Sequence, residues 1–134
     1  MQAFRIKGGK KLKGEVRPQG AKNEALQIIC ATLLTSEKVI INNIPDIIDI
    51  NKLISLLISL GVKVEKLNSN KYSFKADNID LDYLKSEQFK IDGKSLRGSI
   101  MIVGPLLARF GKAYIPRPGG CLLYTSPSPR DWLQ

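Results

Sequence analysis

The chain has 134 residues, 43% of them apolar and 25% charged, with a formal net charge of +9. That is the composition of one ordinary folded domain, and no apolar run approaches the roughly 18 residues of a membrane span. Met1–Lys10 carries basic residues without an apolar stretch behind them, so the sequence reads as cytoplasmic and free of a signal peptide.

Taken in chain order, Phe4–Ile6 alternates, Gly8-Gly9 breaks it, and Gly14–Pro18 closes a second extended piece. From Lys22 to Leu34 the apolar positions Ala25, Leu26, Ile28, Ile29, Leu33 and Leu34 share one broad face of a helix. Val39–Asn42 predicts a short strand, and Asn43–Asp46 a turn into a second helix, with Asp46 as its N-cap. In that helix Ile47, Ile50, Leu53, Ile54, Leu57 and Leu60 recur at helical spacing, and Gly61 stands where a left-handed C-terminal cap belongs. Val62–Lys66 and Tyr72–Ala76 read as a hairpin turned at Asn68–Asn70. Residues 77–94 look polar and irregular. A third helix is expected from Ser95 to Ala108 or Arg109, bent at Pro105 and ended by Gly111, followed by a strand at Ala113–Ile115 and a loop through Cys121. The order is that of an α/β chain with helices against a sheet.

The sequence has no histidine and only two cysteines, Cys30 and Cys121, which leaves a transition-metal site almost without ligands. A reducing compartment argues against a disulfide between them, and Cys30 sits in an apolar helical stretch as a small buried hydrophobe. The lysines are scattered, which fits either a solvated surface or attraction of phosphorylated ligands. Without interleaved aromatics or a binding motif, they do not point to nucleic acid.

Three places carry candidate chemistry. Gly20-Ala-Lys-Asn opens the first helix, where backbone N–H groups and Lys22 suit an anion, although an exposed lysine at a helix start is common. Arg97, expected in the first turn of the third helix, is disfavoured there by the helix dipole; it is either a phosphate or carboxylate clamp or a solvated arginine. Cys121 follows Pro116-Arg-Pro-Gly-Gly, a glycine-rich loop whose Arg117 favours a thiolate, and is either a reactive thiol or incidental.

Phe4-Arg-Ile-Lys-Gly-Gly, Gly20-Ala-Lys-Asn-Glu-Ala-Leu, Leu60-Gly-Val-Lys-Val, Leu96-Arg-Gly-Ser-Ile, Gly104-Pro-Leu-Leu-Ala-Arg-Phe-Gly and Pro118-Gly-Gly-Cys together resemble, in order and spacing, the opening of the UDP-N-acetylglucosamine enolpyruvyl transferases. The resemblance covers residues 1 to about 121. It implies a partial inside-out α/β barrel of repeated sheet-plus-helix units. Residues 1–21 would complete a second domain, 22–121 would begin the first, and 122–134 would be an unrelated, disordered tail. A chain cut at that point would leave sheet edges and apolar faces uncovered, and would be marginally stable or prone to aggregate.

The resemblance also implies transfer of the enolpyruvyl group of phosphoenolpyruvate to the 3'-hydroxyl of UDP-N-acetylglucosamine in peptidoglycan synthesis. No metal or other cofactor is implied, and the full-length enzyme would be a monomer. Lys22 would contact phosphoenolpyruvate, Asn23 the sugar nucleotide and Arg97 the same pocket, while Cys121 would act as general acid at the methylene carbon. Met101 stands where many members carry tryptophan, and Leu122-Leu-Tyr-Thr-Ser-Pro stands where they carry a uridine-holding segment. The truncated chain itself would then be inactive. The alternatives are the sister transferase acting on 3-phosphoshikimate, and a small basic anion-binding module.

Overall fold

The computed structural model describes residues 2–114; Cys121 and the 122–134 segment lie outside that range. Helix α1 runs Lys22–Ala31 and tightens into a 3-10 turn at Thr32–Leu34. The predicted helix therefore spans the right residues but changes pitch at Thr32, whose hydroxyl donates to the Ile29 carbonyl at 2.6 Å. Ala25, Leu26, Ile29, Cys30 and Leu33 form its buried face.

Strand β1 (Lys38–Ile41) leads through Asn43, in the left-handed region at φ 59°, to helix α2 (Ile48–Leu60). The expected cap is corrected here. Ile47 occupies the N-cap position with no side-chain cap, while Asp46 accepts from Asn51 Nδ2 at 3.0 Å. The Ile47 N–H donates to the Pro45 carbonyl at 3.2 Å, and this tight turn delays the helix by a residue. Gly61 ends α2 at φ 107°, with its own N–H on Ile58 and the Val62 N–H on Leu57.

Strands β2 (Lys63–Asn68) and β3 (Lys71–Lys75) form the predicted hairpin, and β3 lies between β1 and β2, antiparallel to both. Val39, Phe74 and Val64 thus align across the sheet, and Tyr72, Phe74 and Ala76 bury one face under the helices. On the other face Lys38, Lys75 and Lys63 align. Asp77 relieves their repulsion by pairing with Lys63 at 3.2 Å and Lys75 at 3.7 Å.

The 77–94 segment is more ordered than its polarity predicted. It contains a 3-10 turn, Leu81–Lys85, and helix α3, Glu87–Lys94. Local capping accounts for both: Asp80 accepts from the Asp82 N–H, and Ser86 from the Phe89 N–H. Phe89 is buried and meets Tyr83 edge-on at 5.6 Å between ring centres.

The expected third helix is two pieces, a 3-10 turn at Arg97–Ile102 and helix α4, Val103–Phe110. Pro105 falls in the first turn of α4, where its missing N–H costs no intrahelical bond, so no bend is needed. Gly111 ends α4 at φ 70° as expected. Ala113 and Tyr114, the described part of the expected last strand, lie outside any strand. Arg109 reaches back from α4 to the carbonyls of Leu33, Thr35 and Ala76.

The extended pieces at 4–6 and 14–18 have no strand partner among the described residues, and Phe4, Ile6, Leu12 and Val16 are 89–97% exposed. No helix among the described residues is long and apolar enough to cross a membrane.

Candidate functional site

Gly20 fixes where α1 begins. A Cβ there would overlap the Asn43 carbonyl oxygen and come within 3.2 Å of Pro45 Cδ, so only glycine lets the arm land on this turn. Ala21 is extended, Lys22 and Asn23 open the helix, and no side chain caps its first-turn amides.

Gly98 does the equivalent work on the facing wall. A Cβ at Gly98 would stand 3.2 Å from Leu26 Cδ1, so the Arg97–Ile102 turn packs closely against α1. Between them lies a cleft of about 510 Å³ bordered by Lys22, Asn23, Leu26, Asp49, Gly98 and Met101. The Lys22 ammonium forms an ion pair with Asp49, in the first turn of α2; the two side chains are 50% and 36% exposed. Lys22 and Asn23 thus border the cleft together with Gly98 and Met101 of the turn that starts with Arg97. Arg97 opens a six-residue 3-10 turn rather than an α-helix, so the macrodipole has little bearing on its placement. The described part of Arg97 is its backbone, and Cys121 lies outside the described residues.

Asp49 was missed by sequence reasoning. An acidic residue in a helix's first turn is ordinary dipole chemistry, and nothing local shows that its partner lies on another helix.

A larger groove of about 620 Å³ separates α2 from α3, bordered by Ser55, Ser59, Gln88, Asp92 and Ser95. Its carboxylate, Asp92, accepts from the Tyr83 hydroxyl at 2.7 Å and from Gln88 at 2.9 Å, and Lys52 lies on the same groove. Burial pushes the Cys30 thiol up to about 12, so Cys30 is an inert core residue.

A family model described as EPSP synthase (3-phosphoshikimate 1-carboxyvinyltransferase) matches residues 6–127. A protein from Bacteroides thetaiotaomicron named UDP-N-acetylglucosamine 1-carboxyvinyltransferase is 60% identical over 120 residues, which is 90% of this chain and 28% of the relative. Proteins of the same name from Porphyromonas gingivalis and Idiomarina loihiensis are 57% and 42% identical, over 90% and 95% of this chain and 28% and 29% of theirs. The chain thus spans about 28% of the length of the 60% and 57% identical relatives. Among solved structures, the enolpyruvyl transferase NikO from Streptomyces tendae superposes with a TM-score of 0.57 at 24% identity, covering 79% of this chain and 24% of that one. This agreement supports the α/β enolpyruvyl transferase fold.

Proposed function

The chain belongs to the EPSP synthase (3-phosphoshikimate 1-carboxyvinyltransferase) family, and on that premise we propose that it supplies part of a site that transfers the enolpyruvyl group of phosphoenolpyruvate to the 3'-hydroxyl of UDP-N-acetylglucosamine. The observation that carries this reading is the cleft itself: Lys22 and Asn23 open on it beside the turn that begins at Arg97. The names of the 60% and 57% identical relatives favour the sugar nucleotide over shikimate 3-phosphate as acceptor.

In this reading Lys22 holds the phosphate of phosphoenolpyruvate, Asn23 the sugar nucleotide, and Arg97 a second anionic group of the same pocket. Cys121 donates a proton to the methylene carbon. The adjoining carbon then takes the sugar 3'-oxygen, whose proton leaves, to give a tetrahedral ketal. Collapse of the ketal expels inorganic phosphate, and the methyl carbon returns its proton. Fixed cations at the phosphate stabilise the charge that develops as this group departs. The reaction takes place in the cytoplasm as a step of peptidoglycan synthesis, in a monomer that engages neither nucleic acid nor membrane. Residues 1–21 pair with a second domain, 22–121 form part of the first, and 122–134 stand outside both. The exposure of Phe4, Ile6, Leu12 and Val16 supports the first of these assignments.

The test is a chimera in which residues 1–121 replace the matching segment of the Bacteroides thetaiotaomicron relative. It should release phosphate from phosphoenolpyruvate only when UDP-N-acetylglucosamine is present, and Lys22→Ala should slow release at least about 100-fold. Release driven by shikimate 3-phosphate instead, or an unaffected Lys22→Ala variant, would overturn the reading.

A further inference from the structure

The Lys22–Asp49 pair sets a carboxylate inside a cleft read as an anion site. Stability does not account for it, since ion pairs this exposed contribute little to folding. Nor does helix capping, because α2 starts without a side-chain cap and Asp49 holds Lys22 of α1 rather than its own first-turn amides. Its clearest effect is on ligand affinity: any anion that reaches Lys22 must take the ammonium from a tethered competitor and sit near a like charge.

We propose that Asp49 is the resting counter-ion of Lys22, exchanged for the phosphoryl group when substrate enters and restored when phosphate leaves. The proposal rests on the cleft being a phosphoenolpyruvate site. Asp49 is then a positioning residue that acts through Lys22. In the free state it holds the ammonium at the border between α1 and α2, and it lowers the affinity for substrate and product alike. Lower affinity for inorganic phosphate favours turnover, because the leaving product is replaced by a group already attached to the protein. The first turn of α2 suits Asp49 to this task, since the helix dipole stabilises the carboxylate while Lys22 is engaged elsewhere.

The experiment titrates phosphoenolpyruvate, and separately inorganic phosphate, into the chimera that carries residues 1–121, following by NMR the Lys22 side-chain nitrogen and the Asp49 carboxyl carbon. Both signals should move together, with Asp49 shifting toward the value of an unpaired carboxylate. Asp49→Asn and Asp49→Ser should each bind phosphoenolpyruvate at least about threefold more tightly, the factor expected from removing a modest competing pair. If Lys22 responds while Asp49 keeps its ligand-free shift at saturation, or if neither variant binds more tightly, the exchange is refuted and the site reading stands. If phosphoenolpyruvate leaves Lys22 unmoved in the wild type and in both variants, the site reading fails and the exchange falls with it.

Discussion

Replacing Arg109 tests how the core is held. Its Nη1 stands 2.6 Å from the Ala76 carbonyl, 3.0 Å from that of Leu33 and 3.3 Å from that of Thr35. One nitrogen carries two protons, so two acceptors must share one of them, and the cluster is worth about two full charge-assisted bonds. Each such bond contributes about 1.5–3 kcal/mol, and partial rehydration of the carbonyls in a variant recovers some of that. The guanidinium also lies 4.8 Å from the Phe110 ring centre, worth about 0.5–1 kcal/mol. Arg109→Met, which keeps the apolar stem, should therefore lose about 3 kcal/mol, against a typical total of about 5–15 kcal/mol. Arg109→Lys keeps the charge but not the planar fork, and should lose about half as much. Urea unfolding followed by circular dichroism at low protein concentration measures both, with the slope unchanged from wild type. A loss below about 0.5 kcal/mol for Arg109→Met would show that the three carbonyls are as well served by water, and would refute the clamp.

Two further outcomes follow from titratable groups in the fold. Burial, and then the hydrogen bond to Asp92, push the Tyr83 hydroxyl up to about 12. Its contribution is thus complete below the unfolded value near 10 and is lost as pH rises toward 12; Tyr83→Phe should flatten the fall in urea midpoint across that window, and an unchanged slope would argue against it. Cys30 should resist a thiol reagent at pH 8 until the chain is unfolded; modification of Cys30 at native conditions would contradict its buried setting.

The parts of the fold legible in the sequence are those whose signal is local. The apolar period of α2 and the glycine after it both reappear, because burial of one face and a left-handed cap depend on residues a turn apart. Helix α3 was not legible, since Asp92 and Lys94 dilute its period and its support comes from the Ser86 cap and the Phe89–Tyr83 contact. Asp46 looked like an N-cap because its type and place are right, and the Pro45 turn that displaces it is a matter of backbone geometry. In the site, Lys22 and Asn23 stood out through their block, whereas Asp49 gave no local signal; outside the site, Arg109 stands in the block Gly104–Gly111, but nothing there shows where its side chain reaches. The partners of Arg109 lie 33, 74 and 76 residues away in sequence.

These long-range contacts divide the work along α1. At its start, Gly98 against Leu26 brings the Arg97–Ile102 turn close enough to border the cleft, with Lys22 and Asp49 paired at its edge. Past its end, Arg109 ties the carbonyls of Leu33 and Thr35 to that of Ala76 after β3. The Lys22 and Asp49 side chains are partly exposed and their pairing contributes little to folding, so changes there act on anion affinity. The Arg109 carbonyls are partly buried and lie beyond the cleft, so changes there act on stability first. Because α1 and the Thr32–Leu34 turn lie between the two ends, a loosened clamp acts on the site only through them. A variant such as Arg109→Lys should then lose stability well before it loses affinity for phosphoenolpyruvate.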